Sequence, residues 1–341
     1  MLHYQDKIFL WISMSELSID PTRTVASRAA CVLAFFSAFC ALPASAADPN
    51  KVLRVAFPTA ETGFDPVRVT DLYSNTINEV IYERLLTYDY LARPAKLVPM
   101  TAQAMPEVLD GGKTYVFRLR KGIYFTPDPA FKGKQRELIA QDYVYTYMRF
   151  MDPANRSQWQ FLFDGKIVGL DALAEAAKKS GKLDYDARIP GLEVIDSHTL
   201  RIRLNKPDYN FNYIVAHVPF GAVAREVIEA YGGDSDAHPV GTGPYVLKEW
   251  KRASKIVLEA NPAYRGFIWD FKASDPPWDE RLIADMKGKK MPQIGRVEVS
   301  IIEEEQSRWL AFNQKQLDVL ALPATFRPQV FDADNKLKPQ W

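Results

Sequence analysis

Beyond residue 46 this 341-residue chain contains no cysteine; its only two, Cys31 and Cys40, lie in the first 46 residues. The body of the chain can therefore form no disulfide, no thiolate nucleophile and no Cys-ligated metal site, and must rely on a packed core. Histidine is nearly as scarce. His198, His217 and His238 follow residue 46, and none is paired at metal-ligand spacing. His198 reads as part of a hairpin turn and His238 as a residue leading into a Gly-Pro turn. There is no G-x-S-x-G elbow and no Walker loop. Gly241-Thr242-Gly243 is no phosphate cradle, because a strand-like run follows it where a helix N-terminus is required. Scattered Asp and Glu mark no acid–base pair in sequence. No catalytic residue, metal site or cofactor is expected.

An excess of either charge is also missing. Lys and Arg number 43 and Asp and Glu 42, a net charge of +1. The first 46 residues hold three of each sign, so the balance is unchanged without them. This leaves no basic footprint for nucleic acid and no charged tail for a membrane surface. The apolar run 29–42 is too short for a permanent bilayer span. Arg28 before it and Ala44-Ser45-Ala46 after it have the form of an export signal cleaved after Ala46, which implies a periplasmic address. Met1 or Met14 could serve as its start. Phe39 before Cys40 argues against lipid anchoring, which needs a small residue there.

What is present is an apolar fraction of 47%, enough for one large or two medium domains. The local patterns alternate between strand and helix. Strands are expected at 52–57, 114–120, 123–125, 192–195, 199–204, 295–302 and 317–320. Tyr73, Ile77, Ile81 and Leu85 place a helix over 71–86. Val144, Met148 and Met151 mark another, closed by Asp152-Pro153, with Tyr143, Tyr145 and Tyr147 sending rings to several faces. Helices are also expected at 170–179, with Gly181 after it, at 224–231, and from the acidic run 303–305 through Phe312. Residues 270–293 read as an irregular surface excursion.

The stretch 239–266 organises the rest. It opens with the turn Gly241-Thr242-Gly243-Pro244, continues as a hairpin with strands 245–250 and 255–260, and closes at Asn261-Pro262. Pro239, Gly241, Thr242, Gly243, Pro244, Tyr245, Trp250, Asn261, Pro262 and Tyr264 fill, at fixed offsets, the pattern P-x-G-[TS]-G-P-Y … W … N-P-x-Y. This resembles the signature of the family 5 extracellular solute-binding proteins, the peptide- and nickel-binding components of ABC importers. Phe64-Asp65-Pro66 is similar to the family's L-D-P, and Ile81-Tyr82-Glu83-Arg84-Leu85 to its I-Y-E-x-L, with Arg84 where a small residue is common. Leu138 to Val144 replaces the family's T-A-x-D-V helix start, and Lys315 stands where a Gly is usual.

The resemblance implies a mixed α/β fold: lobe I of a periplasmic-binding-protein type II architecture, with mixed sheets and flanking helices. Residues 1–46 would be the signal peptide, 47–300 lobe I, and 301–341 the start of the crossover into a second lobe that is mostly missing. It implies a monomeric periplasmic binding component that closes two lobes on an oligopeptide or similar small solute and delivers it to an ABC permease and ATPase. Main-chain pairing with an extended peptide accounts for tolerance of its sequence. By position, Thr59, Ala60, Glu61, Thr62 and Gly63 after the first strand, with Thr242 and Gly243, are the expected ligand-facing residues; a plain turn is the competing reading. Ending shortly after the crossover, the chain reads as a fragment that binds ligand weakly or not at all. Alternatives are a nickel chelate, haem, oligosaccharide or opine as ligand, a secreted hydrolase, or a chaperone-like role.

Overall fold

The computed structural model describes residues 47–272 and 280–341. The expected leader, its expected cleavage site and both cysteines lie outside the described residues. In chain order, β1 (Asp48–Phe57) leads to α1 (Leu72–Ile81), then a short ribbon of β2 (Leu86–Tyr88) and β3 (Leu97–Pro99). There follow β4 (Glu107–Leu109), β5 (Thr114–Arg118), α2 (Ala140–Phe150), α3 (Leu170–Ser180), β6 (Leu192–Asp196) and β7 (Thr199–Arg203). Next come α4 (Phe211–Val215), α5 (Arg225–Tyr231), β8 (Tyr245–Lys251), β9 (Lys255–Ala260) and β10 (Phe267–Ile268). The rest is α6 (Glu280–Met286), β11 (Lys290–Met291), β12 (Ile294–Ile301), α7 (Glu305–Asn313) and α8 (Arg327–Val330).

Two four-stranded sheets carry the architecture. One has the order β1-β12-β9-β8, with β1 and β12 parallel and the other neighbours antiparallel. The other, β4-β5-β7-β6, is antiparallel throughout. The mixed α/β class expected from sequence is the one observed. Each sheet has its own core. Phe117, Leu200 and Ile202 pack with Tyr143, Tyr147 and Met148 of α2 and Leu173 and Ala177 of α3. Ile256, Leu258 and Val299 pack with Ile77 and Ile81 of α1 and with Tyr145. The tyrosine alternation on α2 thus does send rings to two faces, so one helix serves both cores, and its buried polar residues Asp142, Thr146 and Arg149 are each hydrogen-bonded.

Several local expectations are corrected. Helix α1 starts at its N-cap Asp71, whose carboxylate accepts from Ser74 N, but it stops at Ile81 and not near residue 86. Residues 123–125 form no strand beyond an isolated bridge of Tyr124 to Glu137; β5 pairs with β4 and β7 instead. Residues 317–320 are not a strand. Asp318 hooks onto β1 from outside the sheet, donating from its N–H to Arg54 O and accepting from Arg54 N. The segment 270–293 has order at its flanks, since β10 and β11 pair and α6 lies between them.

A buried ion pair fixes the loop after β1 to the C-terminal turn of α2. Arg149 Nη1 and Nη2 donate to Asp65 Oδ1 and Oδ2 at 2.9 and 2.7 Å, and Ser235 Oγ donates to Oδ2 at 2.8 Å. Burial pushes the Asp65 carboxyl up, but the Arg149 charge and hydrogen bonds outweigh it and hold the group below its usual range. A depressed folded pKa contributes stability above the unfolded value, about 3.9, and that stability is lost as pH falls through the folded value. Asp65→Asn strands a buried guanidinium and should cost about 3–5 kcal/mol at pH 7. Urea unfolding at neutral and acid pH checks this: the gap between wild type and variant should close in acid, and a gap independent of pH would contradict it.

Candidate functional site

β1 and β12 run side by side and end together. Phe57 lies opposite Ile301, and Ile302 N donates to Phe57 O. The loops leaving this edge are 58–63 and 302–304. Carboxyl ends of parallel strands are where α/β sheets generally offer space to a ligand. Thr59 and Thr62 are exposed, Ala60 is half-buried, and Glu61 and Gly63 are buried. Glu303, Glu304 and Glu305 stand exposed at the neighbouring loop and the start of α7.

The loop is held from below. Glu61 Oε1 accepts from Trp250 Nε1 at 2.5 Å and from Ala253 N at 2.9 Å, which ties it to the tip of the β8–β9 hairpin. The Trp250 ring packs on Phe64 at 4.7 Å, and the Arg252 guanidinium lies over the Trp250 ring at 4.4 Å. Thr62 N donates to Ser74 Oγ, and Thr62 Oγ1 to Asp71 Oδ2, so the loop also sits on the first turn of α1. At Gly63 a Cβ would press on the Asp236 carboxylate at 2.8 Å, and Asp236 accepts from Phe64 N and Asp65 N.

Thr242 and Gly243 sit at the other end of α1. Gly243 N donates to Ile81 O at 2.8 Å, taking a carbonyl that the helix end leaves free. A Cβ on Gly241 would overlap the same carbonyl, and one on Gly243 would lie 2.5 Å from Val80 O. The glycines are therefore required by close approach. Asn261 locks the bend, its Nδ2 donating to Gly243 O and its N to Pro244 O. Thr242 Oγ1 donates to Glu83 Oε2 at 2.9 Å. Arg265 closes the group, with Nη1 at 2.6 Å and Nη2 at 2.7 Å from the two Glu83 oxygens. Burial lowers the Arg265 guanidinium, but Glu83 overrides that and holds it above its ordinary value.

The seven sequence-derived residues thus form two sets, separated by a ten-residue helix, about 15 Å at 1.5 Å per residue. The bend 242–243 is buried with internal partners; the loop 59–63 keeps an exposed rim. Sequence reading passed over Glu83 and Arg265 as a pair. The available signal was a carboxylate set inside the apolar run Val80 to Leu86, with an arginine following the N-P-x-Y element. Elsewhere, His198 pairs with Glu137 at 3.2 Å and His238 stacks on Tyr231 at 4.0 Å. No group of three or more His, Cys, Asp or Glu among the described residues could hold a metal ion. No helix among them is long and apolar enough to cross a membrane.

Residues 96–340 match the family described as bacterial extracellular solute-binding proteins, family 5 Middle. The chain belongs to this family. Among curated family 5 relatives, it is 29% identical over 203 residues to the periplasmic oligopeptide-binding protein OppA of Escherichia coli (strain K12), covering 59% of this chain and 34% of OppA. It is 30% identical over 253 residues to di/tripeptide-binding protein 4 of Pseudomonas aeruginosa (strain UCBPP-PA14), covering 72% and 43%. Of solved folds, the murein tripeptide binding protein MppA of Escherichia coli superposes with a TM-score of 0.64 at 21% identity, covering 84% of this chain and 49% of MppA. The chain spans about a third to a half of the length of these relatives. Family 5 is a family of solute-binding proteins, not of enzymes.

Glu61 is the residue whose removal separates loop from hairpin most directly. Glu61→Ala should cost about 1–3 kcal/mol and raise hydrogen exchange at 59–63 and Ala253 while leaving the β5–β7 pairing protected. Unchanged exchange at 59–63 would show that the loop is held by something else.

Proposed function

We propose that this chain is the solute-binding component of an ABC importer, exported to the periplasm by the leader 1–46. Its ligand is an extended oligopeptide or a solute of similar size, and its partners are a membrane permease and ATPase. The observation that carries the reading is the rim of exposed Thr59 and Thr62 with half-buried Ala60, held at the carboxyl ends of β1 and β12 by Glu61 and Asp71. Loops at the carboxyl ends of parallel strands are where such a sheet offers room to a ligand, and backbone contacts suit a peptide of varied sequence. The names of the relatives, oligopeptide- and di/tripeptide-binding, support that ligand class over a nickel chelate, haem, oligosaccharide or opine.

In this reading residues 47–300 form lobe I and 301–341 the crossing toward a second lobe. Thr59, Ala60 and Thr62 face the solute directly. Glu61, Gly63, Thr242 and Gly243 act beneath them, setting the position of the loop and of α1. A hinged binding protein gains closure only from contacts made better in the closed state, so contacts from this one face are expected to bind weakly.

Titration of the purified, isotope-labelled chain with a mixture of di- to tetrapeptides tests the site by NMR. Amide shifts should appear at Thr59, Ala60 and Thr62 and not at Thr242 or Gly243, and the peptides should emerge intact. Shifts confined to another face would remove this rim from the site, and cleavage of the peptides would favour a hydrolase.

A further inference from the structure

The antiparallel sheet β4-β5-β7-β6 ends on β6, and one side of that strand is unpaired. Arg203 N donates to Gly191 O, and Leu192, Glu193 and Val194 lie opposite Ile202, Arg201 and Leu200. Hydrogen-bonded pairs alternate along such a ladder, so Glu193 turns its backbone groups to β7 while Leu192 and Val194 turn theirs outward. Leu192 N donates to Ile189 O. Leu192 O, Val194 N and Val194 O have no partner among the described residues.

An open groove of about 770 Å³ borders this edge, a volume in the range of ligand sites. Its floor continues the core: Val144 of α2, Ile189 and Leu192 are buried, and Val194, on the same face of β6 as Leu192, is left 36% exposed. Arg188 stands where the chain approaches β6. Gln141, on the first turn of α2, stands toward the other end, since Ala140 N donates to Ser197 O just past the strand. The carboxylates lining the groove are already taken, Asp186 by Arg225 and Glu193 by Arg201 and Arg203. Arg188 is exposed and has no ion-pair partner among the described residues, so the groove presents a free guanidinium at that end.

We propose that this groove binds a short extended peptide with a free C-terminal carboxylate, which adds to β6 as a fifth strand of the sheet. Running antiparallel to β6, the peptide passes Gln141 first and brings its carboxylate to Arg188. Its N–H groups donate to Leu192 O and Val194 O, one of its carbonyls accepts from Val194 N, and alternate apolar side chains enter the floor. β6 is five residues long, about 17 Å, which suits a peptide of about four to six residues. The site belongs to a different sheet from the rim at 59–62 and does not depend on the reading of that rim.

The test is NMR titration of the isotope-labelled chain with the pentapeptide Ala-Val-Thr-Val-Leu, as the free acid and as its C-terminal amide. The acid should shift the Arg188 and Val194 amides saturably and slow exchange of the Val194 N–H. The amide should bind at least about tenfold more weakly, and Arg188→Gln should bring the acid down to the level of the amide. Val194→Pro, which an edge strand accepts where the N–H faces solvent, should weaken both peptides. Shifts at Thr59 and Thr62 with none at Val194, equal binding of acid and amide, or acid binding unchanged in Arg188→Gln would each overturn the site. Should the proline variant fail to fold, the comparison of acid with amide on the wild-type chain and on Arg188→Gln still decides, because Arg188 is an exposed side chain outside the core.

Discussion

The Glu83 carboxylate is fully buried, and the placement of three separate parts of the chain depends on how it is neutralised. Arg265 meets both its oxygens and Thr242 adds a third hydrogen bond. The backbone around it is used as heavily. Ile81 O accepts from Gly243, Glu83 O from Ala222 N and the Tyr143 hydroxyl, and Arg84 O from Thr101 N and Oγ1. Within Ile81 to Arg84, the end of α1 is joined to the signature bend, to the core of the second sheet through α2, and to the segment just after β3. A charge placed so deep is tolerated only because its partners are fixed, and removing any one of them leaves a polar group with nowhere to turn.

This arrangement changes the role of the glycine bend. It looks exposed as a turn in sequence, but its glycines are set by the close approach of α1, and its threonine is directed inward. Helix α1 is then held at both ends: by the bend and Glu83 at its C-terminus, and by Asp71, Ser74 and Thr62 at its N-terminus. The loop that borders the carboxyl edge of β1 and β12 inherits that rigidity. A preorganised rim loses less conformational freedom when a solute arrives than a free loop would.

Much of this was legible in the residues. Alternating runs placed β5, β7, β8 and β9 within a residue or two, and Ala-rich 170–179 with Gly181 placed α3, because local pattern and tertiary burial agree there. The end of α1 was misplaced because the periodicity of Tyr73, Ile77, Ile81 and Leu85 continues past it. Leu85 is buried as the spacing demands, but in a bend outside the helix, and the Ile81 carbonyl at the helix end is taken by Gly243 N, from a distant part of the chain. Residues 317–320 carry a strand-like composition, yet their link to β1 runs through the Asp318 side chain and backbone. A carboxylate in an apolar run, as at Glu83, signals a buried charge, but nothing in a linear sequence says that its partner is Arg265, or that Asp65 meets Arg149.

A double-mutant cycle on Glu83 and Arg265 probes the central contact directly, using Glu83→Gln, Arg265→Gln and the pair, with stability read from urea unfolding. If the buried carboxylate joins helix, bend and ribbon as described, the two sites should couple by about 2 kcal/mol or more. Each single change should also raise hydrogen exchange at both Gly243 and Ala222. Additive effects, with exchange at those two amides unmoved, would contradict it.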